Sequence, residues 1–417
     1  MGNLCSNSKA VVEKHEKEAS ASARDADKTP QQKRYPYNWP AGAENVGYLT
    51  ERQVKARMTT QSEQTLELAD GFKFRWAAIS QRGYYPSQAD KANQDAYTVH
   101  VDLLGPGKHW FSVYDGHGPV GEKCSQFARE HVSKQFVAAM KAGVSSPDDD
   151  DDAVPLERHA LTTAHLKANE MLAQSPIDDQ QSGTTAITVY VDGRRCVVSN
   201  VGDSRAMLGS VAPDGSVVTR ALSTDQTPYR RDERERVKKY GARVMTADQI
   251  DGVEPIHENW DCKLGDEIDD GGDPPRIWAQ DQEYPGTAFT RSIGDSLAES
   301  LGVVAEPEIE EHVIDHSDRV LIAASDGIFE FITTKSCVDI ALLYSDPLEA
   351  CKALVGESYK LWIEREDRTD DITIILGFID PPGGAGVGKN KNKSKADAEA
   401  DDDDDEANAA ANGGGDN

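Results

Sequence analysis

Short apolar runs rich in β-branched residues, each bounded by turn-forming residues, recur through the middle of this chain, and that pattern is the signature of strands. It predicts strands at 72–79, 96–101, 110–114, 185–191, 196–201, 205–208, 320–324 and 372–378. Elsewhere apolar residues return every three or four positions, which predicts helices at 122–140, 156–173, 230–240, 334–344 and 347–364. Val191-Asp192-Gly193-Arg194 reads as an Asp-Gly hairpin turn, so the strands on either side should pair antiparallel. Helices segregated from antiparallel strands favour an α+β layered sandwich over a doubly wound sheet. Within it Tyr359 and Trp362 are expected in the core, and Thr184 and Thr185 within a strand.

The pattern also sets the domain boundaries. Residues 1–65 are polar, without a sustained apolar period, and are expected to form a flexible arm. Residues 66–380 read as one domain with no internal linker or repeat. From Pro381 the chain turns to Gly, Lys, Asn, Ala and Asp, so 381–417 is expected to be a disordered acidic tail. The stretch from about 246 to 286 differs in kind, with Gly271-Gly272-Asp273-Pro274-Pro275, many acids and little periodicity. Such a span inside a domain reads equally as a functional flap or a tolerated insertion.

Composition narrows the function classes. The 417 residues carry a formal net charge of −28, which argues against nucleic acid, because phosphate-backbone binding needs a basic face. Part of that charge lies in two acidic runs, Asp148 to Asp152 and Asp401 to Glu406, read as solvated loop and tail. The six cysteines are scattered without a C-x-x-C pair, so neither a zinc site nor a disulfide framework is suggested. No run approaches the length of a membrane-spanning helix, and the N-terminus lacks the apolar stretch of a secretory signal, which points to the cytosol or nucleus.

Five aspartates stand where an apolar run meets a turn: Asp95, Asp115, Asp203, Asp326 and Asp370. Strand ends let a rigid scaffold aim several side chains at one point, and Mg²⁺ or Mn²⁺ seeks oxygen ligands in octahedral geometry. A carboxylate-built metal centre is therefore expected. Asp115-Gly116-His117-Gly118 adds glycines that let backbone carbonyls approach a cation and a histidine beside whatever the cation activates.

The order of these motifs resembles the metal-dependent serine/threonine protein phosphatases of type 2C, most closely their plant and protist branch. The resemblance runs through Gln81-Arg82-Gly83, Asn93-Gln94-Asp95, Asp115-Gly116-His117-Gly118, Ser182-Gly183-Thr184-Thr185-Ala186, Asn200-Val201-Gly202-Asp203-Ser204-Arg205, Phe289-Thr290-Arg291-Ser292-Ile293-Gly294-Asp295, Ala324-Ser325-Asp326-Gly327-Ile328-Phe329-Glu330 and Asp370-Asp371-Ile372-Thr373. It implies a four-layer α-β-β-α sandwich with two central antiparallel sheets and a dinuclear metal cleft holding Mg²⁺ or Mn²⁺. On the family pattern Asp115 bridges both ions, the Gly116 carbonyl binds one, and Asp326 and Asp370 bind the other. Asp95 would hold metal-bound water, and Asp203 and Glu330 match a weaker third metal site, with Glu330 one methylene longer than the usual Asp. His117 is the candidate general acid for a poor alkoxide leaving group. The implied substrates are phosphoserine and phosphothreonine in proteins, hydrolysed by water without a covalent intermediate, and the enzyme is expected to act as a monomer. Arg291, Ser292, Gly294 and Asp295 read either as cleft framework or as a structural turn closing the insertion.

Two departures bear on activity. Gln94 stands where the family often has Glu, and contributes no charge to the centre, although its amide can still bond metal waters. Asp90 occupies the place of a phosphate-binding Arg, a role an acid cannot fill. Lys91, as a point charge, is ranked ahead of Arg82, as a bidentate fork, to take it over. These departures sustain an alternative from another class, a weakly active phosphatase-like phosphoprotein-binding adaptor tethered to membrane. A third reading, hydrolysis of small phosphorylated metabolites, would call for a deep pocket of fixed basic groups, of which the sequence offers few.

Met1-Gly2-Asn3-Leu4-Cys5-Ser6 fits the N-myristoylation pattern at Gly2. One acyl chain anchors only marginally, and Cys5 is placed for palmitoylation as the second signal. The expected location is the cytoplasmic face of a membrane, with the arm as a tether.

Overall fold

Alternation along the strands sorts their side chains into layers. The computed structural model describes residues 56–384 apart from 89, 144–154, 259, 261–272 and 367, so Gly2, Cys5, both acidic runs, most of the arm and nearly all of the tail lie outside the described residues. In chain order, β1 (Met58–Glu67) and β2 (Lys73–Gln81) pair, as do β3 (Asp95–His100) and β4 (Lys108–His117). Helices α1 (Gly121–Ala142) and α2 (Leu156–Ala173) follow. Five strands come next: β5 (Gly183–Thr184), β6 (Ala186–Asp192), β7 (Arg195–Val201), β8 (Arg205–Val211) and β9 (Val217–Ala221). Then α3 (Arg231–Lys239), β10 (Arg243–Met245), α4 (Ala247–Ile250), β11 (Arg276–Trp278) and β12 (Pro285–Thr287) form a small annex, closed by β13 (Ile293–Gly294) and α5 (Ser296–Glu299). The chain completes the domain with β14 (Glu308–Val313), β15 (Asp318–Ala324), α6 (Asp326–Phe329), α7 (Thr334–Ala341), α8 (Pro347–Arg365) and β16 (Ile372–Asp380).

One antiparallel sheet runs β1-β2-β16-β15-β8-β9, and the other runs β13-β5-β4-β6-β7-β14 with β3 on β4. On β16, Ile374, Leu376 and Phe378 pack against α7 and α8, while Ile375 and Ile379 turn to the opposite sheet. The second sheet behaves likewise. Phe111, Val113, Val189 and Val198 meet the first sheet, and Trp110, Tyr114, Tyr190 and Val197 pack with Phe136 of α1 and Leu161 of α2. Two sheets with helices on their outer faces make the α-β-β-α sandwich, the expected α+β class. The hairpin at Gly193 pairs Asp192 with Arg195, and Gly193 takes φ +63°, a conformation glycine adopts without steric cost.

Three features differ from expectation. First, β1 begins at Met58, inside the stretch assigned to the flexible arm; it is an edge strand whose side chains are mostly exposed, so it carries no apolar run. Second, the edge strands β9 and β14 have no fully buried side chain and escaped the pattern, β14 because half its residues are Glu and β9 because its five residues are too few for a period to register. Third, the 246–286 stretch is partly structured: β11 pairs with both β10 and β12, and Thr246 closes a capping box with Gln249 at the start of α4. Tyr359 and Trp362 lie in the core as expected. Among the described residues no helix is long and apolar enough to cross a membrane.

Between the sheets the Phe74 ring occupies the space that a side chain at position 377 would need: a Cβ on Gly377 would fall 1.9 Å from Phe74 Cζ. Phe74 is fully buried and meets Phe111 edge-on at 5.3 Å, so it has nowhere to retreat. Gly377→Ala should therefore cost about 1–3 kcal/mol of stability through overpacking. A shift of the urea midpoint to lower concentration checks this, and an unchanged midpoint would contradict it.

Candidate functional site

One end of the sandwich collects the motif residues because strands from both sheets end or begin there. Asp95 opens β3 and stands opposite Asp115 near the end of β4. In the other sheet β15 ends at Ala324, which pairs with both Arg205 of β8 and Ile374 of β16. Asp326 follows that strand, Asp203 lies in the turn before β8, and Asp370 lies just before β16.

Ser325 fastens the two sheets at this end. Its hydroxyl accepts the Thr373 N–H at 3.0 Å and donates to Asp95 Oδ2 at 2.8 Å. The other Asp95 oxygen, Oδ1, is buried without a hydrogen-bond partner in the protein. Asp115 and Asp326, from opposite sheets, approach closely enough to share a hydrogen bond. Burial holds Asp95 and Asp115 well above the ordinary carboxylate range, reinforced at Asp95 chiefly by Asp371 and at Asp115 by Asp95, Asp326 and Asp370. Burial, with Asp326 and then Asp225, pushes Asp203 up to about 8. Burial and Asp370 push Asp326 to about 6. A hard divalent cation fits such a place: the donors are all oxygens, one buried oxygen lacks a partner, and like charges crowd together. Gly116 contributes to that fit, since a Cβ there would fall 2.3 Å from the Gly121 carbonyl oxygen and 2.6 Å from that of Gln94.

A tighter carboxylate group elsewhere makes an instructive contrast. The oxygens of Asp232, Glu233 and Glu308 approach within 4.8 Å of one another. Those acids are paired with Arg230, Arg236 and Arg291, so arginines rather than a cation balance their charge. Glu233 in consequence is held at about 2, the arginine bonds outweighing its burial.

His117 Nε2 lies 2.6 Å from Asp295 Oδ2, and its ring centroid is 4.2 Å from that of Phe289. Burial alone would lower its pKa, but the adjacent Asp295 charge and hydrogen bond outweigh that and raise it. Gln94 does not aim its amide nitrogen at the carboxylates; Nε2 donates to the Gly118 carbonyl at 2.8 Å. The Lys91 ammonium lies 3.7 Å above the Tyr85 ring, and the Tyr85 hydroxyl donates to Asp370 Oδ1 at 2.5 Å. Lys91 thus stands beside the carboxylate cluster, and its charge acts on Asp371. Arg82 is half-buried, its backbone N–H donating to the Arg57 carbonyl at 3.0 Å, while Asp90 is exposed. Glu330 is half-buried at the end of α6, its N–H on the Asp326 carbonyl at 3.0 Å.

Three residues escaped the sequence pattern. Asp371 accepts the Gly83 N–H at 2.6 Å and the Gln94 N–H at 2.7 Å, fastening both ends of the loop that carries Lys91. Its position next to Asp370 was visible, but which neighbour faces which way was not. Tyr85 had only its place in Gly83-Tyr84-Tyr85-Pro86 to mark it. Asp225 takes a two-pronged bond from Arg205, Nε to Oδ1 at 3.0 Å and the terminal nitrogen to Oδ2 at 2.5 Å. That holds a further acid beside Asp203 and Asp326, and the Asp203-Ser204-Arg205 motif alone does not reveal it.

Known proteins resemble this chain in sequence and in fold. The family model for protein phosphatase 2C matches residues 95–361. Probable protein phosphatase 2C 35 of Arabidopsis thaliana is 47% identical over 307 residues, covering 73% of this chain and 84% of the relative. Probable protein phosphatase 2C 73 of Oryza sativa subsp. japonica is 28% identical over 315 residues, covering 70% of each. Among solved structures, the serine-threonine phosphatase 2C from Toxoplasma gondii superposes with a TM-score of 0.58 at 20% identity, over 77% of this chain and 99% of that one, a likeness of fold. With the family model spanning more than half of the chain and a relative this similar across most of it, the protein belongs to the type 2C family of metal-dependent serine/threonine protein phosphatases.

Proposed function

We propose that this chain hydrolyses phosphoserine and phosphothreonine in proteins at the sandwich end, with Asp115, the Gly116 carbonyl, Asp326 and Asp370 holding two divalent cations. The observation that carries the reading is the approach of Asp115 and Asp326 from opposite sheets, with Asp370 acting on both and Asp326 acting on His117. Asp95, tied by Ser325, would orient water, and Asp203 with Glu330 would serve a weaker third site. When bound, Mg²⁺ or Mn²⁺ supplies ionised water near neutral pH and neutralises charge on the phosphoryl oxygens.

The remaining work falls to side chains. The raised pKa keeps His117 protonated nearer neutral pH, as a donor to a poor leaving group must be. Lys91 on its aromatic shelf, with its charge acting on Asp371, would receive the substrate phosphate, ahead of Arg82. Gly2 and Cys5 would carry the lipids that hold the enzyme on the cytoplasmic face of a membrane, near its phosphoprotein substrates. The adaptor reading gains no support from Gln94, whose amide nitrogen has a local structural task at Gly118.

Phosphate release from a phosphothreonine peptide should require Mn²⁺ or Mg²⁺ and vanish in chelator. Asp115→Asn and Asp326→Asn should each lower kcat on the order of 100-fold, ~2.7 kcal/mol of barrier. In the same assay Lys91→Ala should raise KM roughly tenfold, the worth of one charge-assisted bond. Full activity in chelator would sink the metal assignment, and an unchanged KM would remove Lys91 from the phosphate site.

The carboxylates also make stability depend on pH. Their folded-state values, about 8 for Asp203 and about 6 for Asp326, exceed the unfolded aspartate value of about 3.9. The folded state therefore binds more protons across that window, and the stability these groups contribute is lost as pH rises from about 4 to 8. Thermal melts in chelator should shift to lower temperature from pH 5 to pH 8, and excess Mg²⁺ should flatten the slope. A slope in chelator that is flat or rises would contradict the assigned cluster.

For the membrane address, Gly2→Ala should move the protein from the membrane to the supernatant fraction of cells that carry out N-myristoylation, and Cys5→Ser should do so partially. Equal partitioning of all three proteins would refute the lipid anchor.

A further inference from the structure

The segment 289–295 closes the insertion, yet Phe289, Ser292 and Asp295 within it gather around one imidazole, that of His117. Asp295 Oδ2 sits 2.6 Å from His117 Nε2, and the Ser292 hydroxyl donates to the same oxygen at 2.6 Å. Phe289 packs against the same ring, 4.2 Å between centroids. The carboxylate is 3% exposed, while the imidazole is 24% exposed, so the acid is sheltered and the ring is reachable.

Keeping Asp295 there costs the backbone. Its φ is +57°, in the left-handed region that non-glycine residues seldom occupy, and its N–H donates to the Ser182 carbonyl at 2.9 Å. Gly183 leaves the space for it: a Cβ there would fall 2.1 Å from Asp295 Oδ2 and 2.5 Å from the Ser292 hydroxyl. The far side of the segment is pinned to α3, where Thr290 and Arg291 both bond Glu233. A turn that merely closed an insertion would need neither the strained aspartate nor the glycine cradle.

We propose that Asp295 is a positioning residue for departure of the leaving group: it takes Nε2–H of His117 and so assigns proton donation to Nδ1. Nδ1 has no hydrogen-bond partner among the described residues. As the P–O bond breaks, its electron pair goes to the seryl or threonyl oxygen, which receives the Nδ1 proton and leaves as the alcohol. Water supplies the fourth oxygen of the phosphate, and a proton from solvent restores the imidazolium. The proposal rests on His117 being the general acid.

A pair of substrates separates positioning from mere structure. The threonyl oxygen of a phosphothreonine peptide is a poor leaving group unless it is protonated, whereas p-nitrophenyl phosphate releases a stable phenolate that needs no proton. Asp295→Asn, which tolerates the left-handed backbone, should lower kcat on the peptide about 10- to 100-fold with little change in KM. Its loss on p-nitrophenyl phosphate should be at least about tenfold smaller. Gly183→Ala, which displaces the carboxylate without removing it, should show the same selective loss, and adding Asp295→Asn to His117→Ala should lower peptide turnover no further. Equal losses on both substrates for Asp295→Asn, or losses that multiply in the double variant, would overturn the proposal. If His117→Ala is itself unselective, the general-acid assignment fails and the proposal with it; if His117→Ala is selective and Asp295→Asn is not, positioning alone fails.

Discussion

Repulsion among crowded, largely half-buried carboxylates is the constraint around which this end of the molecule is organised. Asp95, Asp115, Asp203 and Asp326 are all held above the usual aspartate range, each with burial as the leading cause and another carboxylate next. A protein that only needed to fold would exchange such a cluster for apolar side chains. Its retention makes sense when cations complete the site, and the contrast with the arginine-balanced group at Glu233 makes the point within one chain.

Holding mutually repelling groups together needs a rigid frame, and the sandwich supplies it from two directions. Asp115 comes from one sheet and Asp326 from the other, and the Ser325 hydroxyl ties the sheets at the depth of the carboxylates. Behind that bond lies the apolar layer shared by the sheets, from Phe111 and Val189 on one side to Leu321 and Ile375 on the other. Separation of the sheets would therefore displace the carboxylates from one another as well as exposing the core.

The sequence made the buried parts of this frame readable and left its margins obscure. Strands β15 and β16 are buried on both faces, so their apolar runs stand out; β1, β9 and β14 lie at sheet edges, where solvent accepts polar residues and the pattern fades. In the insertion, β11 and β12 are three residues each, too short for any period to register. At the site, strand-end aspartates could be found because each follows or precedes an apolar run. The pairing of His117 with Asp295 could not, because the two residues are 178 positions apart and only the closure of β13 on β5 brings them together. The separate partners of Asp370, bonded by the Tyr85 hydroxyl, and of Asp371, bonded by the Gly83 and Gln94 N–H groups, are likewise a property of the folded turn.

The double bond made by Asp371 has a consequence for how this site can diversify. Its two oxygens clasp the main-chain N–H groups of Gly83 and Gln94, so both ends of the intervening loop are fastened through atoms that every residue except proline possesses. Of the residues between, Asn93 still holds Asp95, its side-chain oxygen accepting the Asp95 N–H at 3.0 Å, and the others are released from that duty. An acid at position 90 and a lysine resting on Tyr85 are then changes of wording within a bracketed phrase, altering the charge the loop presents while the backbone leading into Asp95 stays fixed.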